Sequence, residues 1–176
     1  MLTPGEEGSC PTAILLHGFP GYEDNHDLAH SLRWCGLNVL IFHYRGCWGV
    51  NGQFLFSNCI EDVRSVINFV TNEENVTNYN IDKNNIFLVG HSMGVFLTLI
   101  NCIDERIKSS VTISPYDFGL KVCVIKEDEE ELKDEIIMFS NAIPPLNNTD
   151  AMTLIRETII NSEEWRLSKN FLKKIF

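Results

Sequence analysis

Two short stretches hold residue types whose spacing could do chemistry. The first is Gly90-His91-Ser92-Met93-Gly94, a G-x-S-x-G pattern between the apolar run Ile86-Phe87-Leu88-Val89 and a second apolar run that begins at Val95. A serine in that context sits where a strand reverses into a helix. Flanking glycines remove Cβ atoms that would clash, and the turn lifts the hydroxyl clear of the sheet. The N-terminus of the new helix then aims amide hydrogens at the oxyanion of an attacked carbonyl. That is acyl-transfer chemistry with Ser92 as nucleophile. The second stretch is His17-Gly18-Phe19-Pro20-Gly21, which follows the apolar run Ala13-Ile14-Leu15-Leu16. An oxyanion site needs a second backbone donor from a neighbouring loop, and this one would offer the amide of Phe19. Taken alone the second stretch is only a glycine-rich turn; the first gives it a function.

The elements around these stretches follow from periodicity. Residues 1–11 read as a loop, and 12–17 as a short apolar strand buried on both faces. Asp24 or Asn25 can cap a helix running to Trp34, with Leu28, Leu32 and Cys35 at helical spacing and Gly36 closing it. A second buried strand covers 37–43, followed by a glycine-punctuated loop over 45–52. Ile60, Val63, Ile67 and Val70 mark one face of a helix over 57–70, for which Asn58 and Glu61 have capping-box spacing. An Asn-rich connection leads to a third strand over 85–90, an apolar helix over 95–102 and a fourth strand over 108–114. Four strands alternating with three helices predict an α/β fold, a parallel sheet with flanking helices. Beyond 120 the pattern changes. Residues 121–125 could form a strand. An acidic run then opens an amphipathic helix bearing Leu132, Ile136, Phe139 and Ile143, which Pro144 and Pro145 stop. A further helix from Asn148 or Thr149 to Ile160 and a last one from Ser162 to Ile175 complete the chain. The expectation is a core over 1–120 and a helical, lid-like segment over 121–176, within one domain.

His17-Gly18-Phe19-Pro20-Gly21, Phe42-His43-Tyr44-Arg45-Gly46, Glu61-Asp62 and Gly90-His91-Ser92-Met93-Gly94 occur in an order that resembles the α/β-hydrolase superfamily. The resemblance is to its esterase and prolyl-oligopeptidase-like branch, over residues 10–118. It implies a serine hydrolase acting on small-molecule esters, or on peptides, through an acyl-enzyme at Ser92. The amides of Phe19 and Met93 would be the oxyanion donors, 42–46 would line the pocket, and helices over 127–162 would form a lid. The sequence departs from the family in one chemical respect: no histidine follows His91. Family members carry further strands on both sides and a late acid and histidine, so the chain reads as truncated at both ends. A serine without a base is a poor nucleophile. The alternative is therefore a catalytically impaired fragment or a non-catalytic binding module. Adjacent side chains diverge at such a turn, so His91 is expected to point into the sheet. His17 and His43 are expected to support loops, and Asp117 to form a turn rather than to act as the acid.

Composition narrows the remaining classes. Twenty-four acidic against 14 basic residues give a net charge of −10, which repels a phosphate backbone and disfavours nucleic-acid binding. With 44% hydrophobic and 22% charged residues the 176-residue chain is of ordinary globular composition, and no apolar run is long enough for an integral membrane segment. The start shows no basic and apolar leader, and the six cysteines are scattered without C-x-x-C pairs. These features predict a cytoplasmic protein with reduced cysteines. No cofactor and no metal is implied: the elbow mechanism needs none, and His26 and His30 read as a solvated helix face. A partner chain, or self-association through open sheet edges, is the expected macromolecular contact.

Overall fold

The computed structural model describes residues 2–3, 8–22 and 25–170. They fall into two compact units, Met1–His43 with Ile60–Pro115, and Tyr44–Cys59 with Tyr116–Phe176.

The first unit is built on a five-stranded sheet. In chain order its elements are β1 (Leu2–Thr3), β2 (Cys10–Leu16), α1 (His26–Trp34) and β3 (Asn38–Ile41). There follow α2 (Phe56–Thr71, in this unit from Ile60), α3 (Glu73–Asn78), β4 (Ile81–His91), α4 (Met93–Asn101) and β5 (Ile107–Ile113). The strand order is β1-β3-β2-β4-β5. The four long strands are parallel, as their apolar runs predict, and β1 adds a short antiparallel edge through Leu2↔Leu40 and Thr3↔Val39. Strand β2 is buried on both faces because it lies between β3 and β4 and its alternate side chains enter different layers. Ala13 and Leu15 join Ala29, Val39 and Val89 in one cluster, over which Leu28 and Leu32 of α1 pack. On the other face Ile14 and Leu16 are fully buried.

Besides β1, which lies within the loop expected over 1–11, three details differ from the sequence reading. Strand β2 starts at Cys10, inside the expected loop, because the Cys10 N–H donates to the Asn80 carbonyl at 2.8 Å. Strand β4 starts at Ile81 and interrupts its ladder with β2 between Ile81 and Ile86. There Asp82 accepts from the Asn84 N–H and the Asn85 side chain, so a local polar turn displaces ladder bonds. The Asn-rich connection holds α3, whose N-cap Asn72 accepts from the Glu74 and Asn75 amides. Asn25 caps α1 from a left-handed conformation (φ 53°) without a side-chain hydrogen bond, while Asp24 lies outside the described residues.

The second unit holds α5 (Phe118–Glu127), α6 (Glu129–Ala142), α7 (Ala151–Ile160) and the four-residue α8 (Leu167–Asn170). The strand expected over 121–125 is helix instead. Phe118, Val122 and Ile125 recur at helical spacing on the buried side of α5, and burial at that period outweighs the β-branched composition. Asp128 caps α6 and Asp150 caps α7, each accepting from amides of the first turn. The last helix, expected over 162–175, starts only at Leu167 after turns over 161–165, and its expected continuation beyond Asn170 lies outside the described residues.

Residues 44–59 belong with these helices for two reasons. The loop pairs with 145–147: Trp48 N–H donates to the Pro145 carbonyl, Phe54 N–H to the Asn147 carbonyl, and Asn147 N–H to the Gly46 carbonyl. Phe56 then stands at the centre of an aromatic cluster. Its ring lies 4.5 Å from Phe118, 6.0 Å from Phe139 and 6.4 Å from Trp165. Burying rings of this size stabilises by about 1.5–3 kcal/mol each. Around this core the half-buried Tyr116 donates to the buried Glu135 carboxylate, which Lys121 approaches at 3.4 Å. Burial, then the Glu135 carboxylate, hold the Tyr116 phenol above its ordinary range. Burial also pushes the Cys47 thiol up to about 12, leaving it protonated and inert.

No helix among the described residues is long and apolar enough to cross a membrane.

The start of α2 is held differently from the capping box that Asn58 and Glu61 suggest. The Glu157 carboxylate of α7 accepts the Phe56 N–H at 2.8 Å and the Ser57 N–H at 2.9 Å, and also the Ser57 hydroxyl. A carboxylate on two orphan amides at the positive end of a helix is a charge-assisted cap. Glu157→Ala is expected to lower unfolding free energy by about 1–2 kcal/mol, read by urea denaturation at neutral pH. An unchanged midpoint would show that these amides are satisfied without it.

Candidate active site

The serine motif folds as a sharp turn because its two glycines stand where no side chain fits. A Cβ on Gly94 would lie 1.9 Å from the Leu16 carbonyl oxygen, at the end of β2. On Gly90 it would lie 2.2 Å from the Gly94 carbonyl oxygen and 2.3 Å from Thr98 Oγ1. The first turn of α4 is thereby pressed onto the ends of β2 and β4, and the residue between takes up the reversal. Ser92 does so at φ 54° and ψ −117°, a region that costs a non-glycine residue about 1–3 kcal/mol. Two backbone bonds over-determine it: the Ser92 N–H donates to the Ile113 carbonyl of β5 at 3.1 Å, and the Ser92 carbonyl accepts from Val95 N–H at 3.0 Å.

Ser92 faces a concavity of about 230 Å³ lined by Gly18, Phe19, Pro20, Gly21, Tyr22, His91 and Ser92. The loop after β2 thus comes to the serine, and the approach is close: a Cβ on Gly18 would lie 3.1 Å from Ser92 Cβ and 3.5 Å from Oγ. The amide-bearing residues singled out in the sequence, Phe19 and Met93, stand on this loop and at the first position of α4. The first amides of an α-helix have no intrahelical acceptor, so α4 presents its N-terminal donors at the serine.

The histidines divide. His91 stands beside Ser92 in the lining of the concavity, with its ring Nδ1 buried. His17 is buried, and its Nδ1 donates to the Gly18 carbonyl at 2.7 Å while its ring meets His43 edge-on at 5.4 Å. This pair braces the loop that carries Phe19. His26 and His30 are exposed on α1, and no group of three metal-ligating side chains occurs among the described residues. Asp117 caps α5, accepting the Leu120 N–H at 3.0 Å and the Leu167 N–H at 3.3 Å. Among the described residues, no hydrogen bond joins Ser92 Oγ to an imidazole or a carboxylate. Two participants were not singled out in the sequence. Tyr22 lines the concavity, and its position directly after Gly21 was the available signal; the Ile113 carbonyl that anchors Ser92 leaves no trace in composition.

Gly94→Ala is expected to cost about 3 kcal/mol by denaturation, since the added methyl meets rigid backbone rather than a movable side chain. A variant as stable as the parent would mean that α4 can retreat from β2, and that the turn is not held as described.

The comparisons with known proteins agree with this fold. An α/β serine hydrolase homologue from Coxiella burnetii matches at TM-score 0.54 and 22% identity, over 65% of this chain and 56% of that one. DcsB, solved with its substrate analogue, matches at TM-score 0.64 and 16% identity, over 94% of this chain and 75% of its own. The α/β hydrolase GrgF from Penicillium sp. sh18 matches at TM-score 0.59 and 18% identity, over 98% and 68%. At such identities the likeness is one of fold, and the chain spans little more than half of the Coxiella protein. No curated protein matches the sequence significantly. The BD-FAE family model matches residues 3–143, and on that extent the chain belongs to the BD-FAE family of α/β hydrolases.

Proposed function

We propose that the chain is a serine hydrolase that cleaves small-molecule carboxylic esters through an acyl-enzyme at Ser92. One observation carries the reading: a serine held at positive φ between β4 and α4, facing a concavity shared with the loop after β2. In the proposed reaction Ser92 Oγ attacks the ester carbonyl and loses its proton to a base. The amides of Phe19 and Met93 hold the oxyanion, and collapse expels the alcohol to leave an acyl-serine. Water then attacks the acyl group, releasing the acid and restoring the hydroxyl. Esters come before peptides because an alkoxide leaves more readily than an amide nitrogen, which must be protonated by a positioned acid. Phe19, Pro20 and Tyr22 give the concavity an apolar wall suited to the acyl side of a small ester. A cytoplasmic setting is part of the same proposal.

The base is the open requirement. No imidazole is bonded to Ser92 Oγ among the described residues, so turnover needs a base from outside them or an unusual one. The same observation favours a second reading, a binding module that keeps the pocket without turnover.

An exogenous base separates the two. Positioned general bases contribute about 10²–10⁴-fold, and free imidazole should recover part of that. Hydrolysis of a p-nitrophenyl ester by the parent is expected to rise with added imidazole well above the rise for Ser92→Ala. Equal rates in the two proteins at every imidazole concentration would overturn the hydrolase reading. A thermal shift with the ester under those conditions would leave the binding module in its place.

A further inference from the structure

The notch left by the missing side chain of Gly90 is filled by oxygen. The place where its Cβ would stand lies 2.2 Å from the Gly94 carbonyl oxygen and 2.3 Å from Thr98 Oγ1, so two oxygens of α4 face the Gly90 Cα–H. Such a Cα–H approaches an oxygen to a C···O distance of about 3.3–3.6 Å, whereas two carbons pack at about 3.5–4.0 Å. An oxygen therefore lets α4 lie nearer to β4 than a methyl in the same place would. Gly90 is also a fixed point from which to measure that spacing. It pairs with Leu16 of β2 on one side and with Thr112 of β5 on the other, two residues before Ser92.

Thr98 itself is fully buried, directly after the buried apolar run Val95-Phe96-Leu97, where valine would pack without a polar atom. A threonine inside a helix can donate to the carbonyl four residues back, here that of Gly94. Among the described residues the Thr98 hydroxyl makes no hydrogen bond, although that carbonyl stands over the same notch. A buried hydroxyl without a partner lowers stability, so hydrogen bonding does not account for its presence. Contact distance does. We propose that Thr98 is a positioning residue for Ser92: its hydroxyl oxygen, seated over Gly90, sets the spacing between α4 and the end of β4, and with it the placement of the Met93 amide relative to the serine. The geometric part stands on the fold alone, and its chemical consequence rests on the reading of Ser92 as a nucleophile.

Two variants separate spacing from stability. Thr98→Val removes the unpartnered hydroxyl and puts a methyl over Gly90. It is expected to melt at the parent's temperature or about 2–4 °C above it. Its Ser92 is nevertheless expected to react with a fluorophosphonate about tenfold more slowly, because small misplacements of reacting groups are costly in rate. Thr98→Ser keeps the oxygen and loses a buried methyl, so it is expected to melt about 2–4 °C lower and still to react at close to the parent's rate. In proton–nitrogen correlation spectra the Ser92, Met93 and Gly94 amides are expected to shift in Thr98→Val and to stay near their parent positions in Thr98→Ser. A valine variant that labels as fast as the parent would overturn the proposal. So would labelling rates that simply follow the melting temperatures, or amides that move alike in both variants. A parent that does not label at Ser92 would remove the nucleophile reading instead, and the amide shifts would then decide the spacing alone.

Discussion

The close approach of Gly94 to the Leu16 carbonyl is the constraint on which the site depends. Because no Cβ intervenes, the first turn of α4 lies on the end of β2, and the chain must reverse between β4 and α4 in a single residue. Ser92 therefore takes a conformation that an isolated serine avoids, and the surrounding packing bears the strain. The same contact fixes the end of β2, from which the loop with Gly18 and Phe19 departs, so Ser92 and the loop are placed by one piece of packing. The His17–Gly18 hydrogen bond and the edge-on His17–His43 contact then brace the loop from behind. Preorganisation of this kind matters for acyl transfer, because donors that need not move when charge develops stabilise it best.

The second unit uses a different principle. Its centre is a group of rings drawn from four distant stretches, Phe56, Phe118, Phe139 and Trp165, and its edge is fastened by a carboxylate on the end of α2. The Glu157 cap joins positions 100 residues apart. Short-range capping rules look three or four residues ahead and could not have found it. The association of 44–59 with the C-terminal helices was hidden for the same reason. Main-chain pairing of a glycine-rich loop with 145–147 depends on backbone placement, which side-chain patterns do not encode.

What was legible follows from this. Buried parallel strands announce themselves as continuous apolar runs, so β2, β3, β4 and β5 could be placed to within a few residues from 12–17, 37–43, 85–90 and 108–114. The turn at Ser92 was legible because its glycines are required by sterics and its strand and helix contexts are both apolar. The segment 121–125 misled because Val122, Val124 and Ile125 are strand formers, while the tertiary setting buries only the residues at helical spacing. The early part of β4 was missed because Asp82 to Asn85 are polar and form their own turn within the strand. The absence of a histidine after His91 was visible at once. Among the described residues Ser92 is held in its turn with no imidazole or carboxylate bonded to its Oγ.

The central claim, that this turn makes Ser92 a nucleophile, is tested most directly by where a fluorophosphonate attaches. After incubation and proteolysis, peptide mass spectrometry is expected to find one adduct, on Ser92, and none once the protein is unfolded before labelling. An adduct spread over other hydroxyls, or one that survives prior unfolding, would contradict the account.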